Sequence, residues 1–151
     1  MQLAIDAVER ISSEHRLVVT GKVGWGDQSI GAKTIPVGYV DEDSLSALYS
    51  AAEIYLAPSR HEGFGIPLLE AFRCGCPVIC SSGGALPEVA GGAAEVEPTW
   101  SSDHWAATIE SLLGDQSKLE ELRIRGMERE RHFSWEDAAK KTIDVYHEAF
   151  R

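Results

Sequence analysis

The stretch "SRHEGFGIPLLEAF", Ser59 to Phe72, places a turn, a helix start and two carboxylates within one short segment. Gly63 and Gly65 free the backbone for a tight turn and let a ligand approach its amides. Pro67 suits the first turn of a helix, where its missing N–H costs nothing. The pattern predicts a helix from Gly65 to about Arg73. The N-terminus of such a helix carries unpaired donors and about half a positive charge, which suits a phosphate. Glu70 falls about a turn inside it, roughly 6 Å along the axis at about 1.5 Å per residue. Glu62 stands on the other side of the turn. Hydroxyl-seeking acceptors on both sides of a phosphate site fit a ligand built as ribose, diphosphate and hexose. Two plainer roles stay open, an i+3 pair of Glu70 with Arg73 and a solvated loop position for Glu62.

Outward from this segment, strand-like and helix-like stretches alternate, the pattern of a parallel sheet covered by helices. Upstream lie a helical repeat of Leu3, Ala4, Ala7, Val8 and Ile11, a strand at Leu17-Val18-Val19, and the glycine-rich loop "GKVGWGDQSIG". A strand over Thr34 to Val37 follows, then a helix capped by Asp41, Asp43 or Ser44 and carrying Leu45, Leu48 and Tyr49, then a strand from Ile54 to Ala57. Downstream come a strand at Val78 to Cys80, a short helix near Leu86 to Val89 and a brief strand near Ala93 to Val96. The rest reads as a helical tail, with Trp105, Ile109, Leu112 and Leu113 on one stripe and Leu119, Leu122 and Met127 marking a second helix. Ser134 and Asp137 look like a capping pair for a last helix with Trp135, Ile143, Tyr146 and Phe150 on one side. Each strand ends in small or polar residues: Thr20-Gly21, Gly38-Tyr39, Pro58-Ser59, and Ser81 to Gly84. Ligands of open α/β sheets bind outside the carboxyl ends of the strands, so these loops are expected to rim one crevice.

Composition narrows the partners. With 151 residues, 44% of them hydrophobic, the chain suits one unit with its own core, residues 1–151. A net charge of −10 argues against nucleic acid as a partner, because phosphate-backbone binding relies on clustered cations. No apolar run approaches the roughly 18 to 20 residues that span a bilayer, and Met1 to Asp6 lack a signal peptide's charged start. The expected localisation is cytoplasmic, with peripheral attachment of a longer form to the inner membrane surface left open. Cys74, Cys76 and Cys80 lack a usual zinc spacing and read as reduced core thiols.

The stretch "EGFGIPLLE", with seven residues between Glu62 and Glu70, resembles the E-x7-E signature of the retaining glycosyltransferases of family 4, the glycosyl transferases group 1 domain. The likeness continues through "AFRCGCPVICSSGGALPEVAGGAAEVEP", "VGYVDEDSLSALYSAAEIYLAPS", "VVTGKVGWG" and "FSWEDAA". What it implies is the C-terminal, donor-binding half of a GT-B fold, a Rossmann-like parallel sheet with helices on both faces and a helical tail. Glu62 is then the catalytic-site carboxylate on the donor hexose. Gly63, Phe64, Gly65, Ile66, Pro67 and Leu68 surround the sugar and diphosphate, and His61 lines the site. Glu70 takes the ribose hydroxyls, with Gly21, Gly38, Tyr39 and Val40 at the nucleotide. The family implies no metal and no cofactor beyond the nucleotide-sugar substrate, a UDP-, GDP- or ADP-sugar.

The family's domain opens with a strand, loop and helix that bring an Arg and a Lys to the phosphates; this chain begins inside that helix. Lys22 and Lys33 are the nearby cations to consider in their place. A strand is expected to be lacking beside Leu17-Val18-Val19, as is the N-terminal acceptor-binding domain, supplied in cis or as a subunit. Little or no sugar transfer is expected from this chain alone, and self-association through the open sheet and last helix is expected. Two alternatives stand beside the transferase: a free-standing nucleotide-sugar-binding module needing a partner subunit, and a nucleotide-sugar epimerase-like domain.

Overall fold

A computed structural model describes residues 1–21 and 30–150. Along the chain run α1 (Gln2–Arg10), β1 (Leu17–Thr20), β2 (Thr34–Gly38), α2 (Glu42–Ala51), β3 (Tyr55–Ala57) and α3 (Ile66–Arg73). There follow β4 (Val78–Ser81), α4 (Leu86–Ala90), β5 (Glu95–Glu97), α5 (Ser102–Leu113), α6 (Gln116–Glu130) and α7 (Trp135–Ala149). Local chemistry explains the starts. Asp41 accepts from the Ser44 amide at 2.8 Å and opens α2, and Ser134 accepts from the Asp137 amide at 3.1 Å and opens α7. No helix among the described residues is long and apolar enough to cross a membrane.

All strand pairs are parallel, β1 with β2 and β3 with β4 with β5. Successive side chains of β4 point to opposite faces. Val78 and Cys80 join a core with Leu68, Phe72, Leu86 and Val89, whereas Ile79 joins a second core with Leu3, Val8, Trp105, Ile109 and Leu122. Helices therefore cover both faces, as expected from the alternation of elements.

The sheet is not continuous. The pairs form a two-stranded sheet, β1-β2, and a three-stranded sheet, β3-β4-β5. Between β1 and β3 lies a cleft of about 390 Å³ bordered by Leu17 and Val18 on one side and by Tyr55 and Leu56 on the other. α2 and α5 close it with Leu45, Leu48 and Ile109. Helix packing rather than a ladder joins the halves, since α1 lies against both β1 and α5.

The helical tail divides. α5 and α6 are anchored by Trp105, whose indole N–H donates to the Thr99 carbonyl at 3.0 Å, and by Leu119 and Leu122. α7 has no buried residue; Trp135 is 81% and Phe150 89% exposed, so the apolar stripe read from the sequence covers nothing within the described residues.

Candidate functional site

The Ser59–Phe72 segment folds as its residue types require. Gly65 sits at the start of α3 with φ 97°, a left-handed conformation that a residue with a Cβ would enter under strain. Pro67 lies in the first turn. The amides of Gly63, Phe64, Gly65 and Ile66 have no backbone partner among the described residues, so four donors are grouped at the turn. The expected reach of this set up to Leu68 is corrected at its end. Pro67 has no N–H, Leu68 is buried in the core, and its amide donates to the Gly65 carbonyl at 3.0 Å.

Glu62 is half-buried on one side of the turn, with exposed His61 beside it. Glu70 is exposed on α3 and accepts a long hydrogen bond, 3.5 Å, from the Tyr49 hydroxyl. Arg73, the i+3 neighbour that offered the plainer explanation of Glu70, turns away. Its guanidinium binds Glu130 of α6 through Nε at 2.9 Å and Nη2 at 2.8 Å. Glu70 thus makes no ion pair with Arg73. Tyr49 and Tyr55 pack edge to face at 5.3 Å beneath the two carboxylates. Burial raises the Tyr55 phenol first, and Glu70 and Glu62 add to it, pushing it up to about 12. Burial likewise raises Tyr49, followed by Tyr55 and Glu70. Both phenols are neutral donors at ordinary pH, and one of them is aimed at Glu70.

At the other sheet, Gly21 and Gly38 both have positive φ and are joined by a 2.7 Å hydrogen bond from the Gly21 amide to the Gly38 carbonyl. Val40 is half-buried and Tyr39 is 87% exposed at the carboxyl end of β2. These four residues stand at or just beyond the carboxyl ends of β1 and β2, in the two-stranded sheet, whereas Glu62 and the turn follow β3 of the other sheet. Lys33 is no phosphate ligand. It precedes β2, at the amino end of the strand, where its ammonium donates to the carbonyls of Ile11 at 2.6 Å and Ser13 at 2.9 Å. Lys22 lies outside the described residues.

Three contacts around the turn involve residues the sequence reading passed over. Phe64 meets Phe133 edge to face at 5.7 Å, tying the turn to the start of α7. Arg129 lies 4.8 Å over Phe133 and donates to the carbonyls of Val89 and Glu88, closing the carboxyl end of α4. Arg60 lies 4.5 Å over the Trp100 ring, beside a pocket of about 240 Å³ floored by Glu97. Burial alone would raise Glu97, but donors from Thr99 and the Thr108 hydroxyl prevail and lower it. These partners lie far apart in sequence and carry no local signal. The three cysteines are free, with Cys76 and Cys80 buried and Cys74 half-buried, and no cluster of metal-ligating side chains occurs among the described residues.

Residues 2–129 match the family described as "Glycosyl transferases group 1", and the chain belongs to it. It is 39% identical over 139 residues to the O-antigen chain mannosyltransferase B of Escherichia coli, covering 86% of this chain and 36% of that protein. Among solved structures it is similar to sucrose-phosphate synthase from Thermosynechococcus elongatus, with TM-score 0.83 and 26% identity over 99% of this chain and 42% of that one. It also shares its fold with Anabaena Alr3699/HepE, solved in complex with UDP and glucose, at TM-score 0.85 and 17% identity over 98% of this chain and 44% of that one. The fold is that of GT-B glycosyltransferase structures. The chain spans about a third of the mannosyltransferase and under half of each of the two structures.

Proposed function

We propose that this chain is the nucleotide-sugar-binding half of a retaining hexosyltransferase, acting with an acceptor-binding domain in cis or as a separate subunit. The observation that carries this is the arrangement at the turn: four free amides bracketed by Glu62 and by a Glu70 released from Arg73. The amides take the diphosphate, Glu70 the ribose hydroxyls and Glu62 the hexose hydroxyls, with Gly21, Gly38, Tyr39 and Val40 toward the base. Negative charge grows on the leaving diphosphate as the anomeric bond breaks, and preorganised donors aimed at that charge are the main stabilising device. No metal is needed in this reading. The relation to a mannosyltransferase makes a mannosyl donor the first to test, and the UDP complex of the structural relative makes UDP the first comparison.

The test is a thermal-shift and calorimetric screen of UDP, GDP, ADP and their sugars with the chain, with and without EDTA. The expected result is stabilisation by one nucleotide series, unchanged by EDTA and lost in Glu70→Ala. No shift with any of them sinks the reading. The bare apolar face of α7 favours a second reading, a binding module that docks on a partner subunit, with the same ligand site.

A further inference from the structure

The segment after β4 runs along the back of the Glu62 loop and touches it at three points. First, the Ser81 hydroxyl donates to the Ser59 carbonyl and accepts from the Gly83 amide at 3.3 Å. A Cβ on Gly83 would fall 2.5 Å from the carbonyl oxygens of Ser59 and Arg60. Second, the Ala85 amide donates to the Glu62 carbonyl at 3.0 Å. A Cβ on Gly84 would intrude on that same carbonyl and lie 2.8 Å from the Glu62 nitrogen. Third, buried Leu86 sits beneath Gly65, where a Cβ would meet its methyl at 2.9 Å. Two backbones thus lie in contact with no side chain between them. Meanwhile the Glu62 carboxylate has no hydrogen-bond partner among the described residues. Its main chain is held and its side chain is left to a ligand.

We infer that Ser81, Gly83 and Gly84 are positioning residues that set the height of Glu62 and thereby select the sugar end of the ligand over the nucleotide end. This rests on the donor-site reading above. Glu70 stands on α3 and accepts from Tyr49; Leu86 packs under the start of that helix, but the hydrogen bonds that Ser81 and Ala85 donate go to the loop at Ser59 and Glu62 and not to α3. Displacing the Glu62 backbone therefore leaves the Glu70 end in place.

Gly84→Ala forces the two backbones apart. Gly92→Ala is the control, because Gly92 also has a positive φ, 84° against 61° at Gly84, but nothing within 4 Å, so it carries backbone strain without the collision. In the ligand-free chain, hydrogen exchange of the Ala85 amide, which donates to the Glu62 carbonyl, is expected to quicken in Gly84→Ala and to match wild type in Gly92→Ala. By calorimetry Gly84→Ala is expected to weaken a nucleotide-sugar by about tenfold, the worth of a charge-assisted hydrogen bond, and its bare nucleotide by less than about twofold. Ser81→Ala, which adds no bulk, should act in the same direction more weakly and serves if Gly84→Ala does not fold. Unchanged exchange at Ala85, equal quickening in the control, or parallel losses for nucleotide and nucleotide-sugar would each overturn the inference. If the wild-type chain binds neither ligand, the donor-site reading falls, and the exchange result alone upholds or overturns the positioning.

Discussion

At the scale of single residues, Glu70 and Glu62 differ in what should be lost with them. Glu70→Ala is expected to weaken nucleotide binding by about 1 to 3 kcal/mol, the cost of leaving a hydroxyl pair without a charged acceptor. Stability should hardly change, since Glu70 is exposed; equal affinities by calorimetry would remove it from the site. In a full-length enzyme carrying this segment, Glu62→Ala should lower transfer more than it lowers affinity for the bare nucleotide. The spacing of these carboxylates and the turn between them were legible in the sequence because adjacent residues encode them. Release of Glu70 was not, because it depends on Glu130, 57 residues beyond Arg73. Two buried thiols give a pH prediction. Burial raises Cys76 to about 12 and Cys80 to about 11 from an ordinary 9.0. As pH rises the unfolded chain releases these protons first, so stability is intact below about pH 9 and declines toward the folded values. Denaturant midpoints at about pH 8 and about pH 10.5 should show the fall, and Cys80→Ala should make it shallower.

Among the elements, α3 opens at the turn with the four free amides and α6 holds α3. Gly126 of α6 lies against the buried Phe72 ring of α3, where a Cβ would stand 2.6 Å from a ring carbon. A helix-interior glycine replaced by alanine ordinarily gains roughly 0.5 to 1 kcal/mol. Here the sign should reverse, Gly126→Ala costing about 1 to 3 kcal/mol because a packed aromatic ring has no room to yield. Chemical denaturation measures it, and a stabilised variant would show that the two helices part freely. The strands and the helices up to α4 were legible to within a residue or two, and α5 and α6 by their apolar stripes, since apolar periodicity, glycines, prolines and caps are local signals. The destination of the α7 stripe was not legible. Amphipathic spacing says that a face is made to be covered, and the described residues provide nothing that covers it.

For the whole molecule, the break between β1 and β3 is decisive. Two facing edges without ladder partners among the described residues, together with the bare α7 face, are sticky surfaces, and a parallel strand seated between them would satisfy both edges. Self-association is therefore expected in sedimentation across a range of concentrations, and a concentration-independent monomer with a high melting temperature would contradict it. The alternation of elements announced a parallel sheet, but pairing between sheets is a long-range property that no local pattern fixes. The break also bears on cooperativity. β4 is buried throughout, whereas β1 and β2 have no fully buried residue and, among the described residues, pair only with each other. Such a pair opens at lower free energy than the rest, as its own unfolding unit. The carboxyl ends of β1 and β2 carry the proposed base contacts, while Glu62 and the amide turn sit on the other, better-buried unit. Ligand capture would then follow an order in time, with the sugar and diphosphate meeting a surface already formed and the base completing a surface that forms around it.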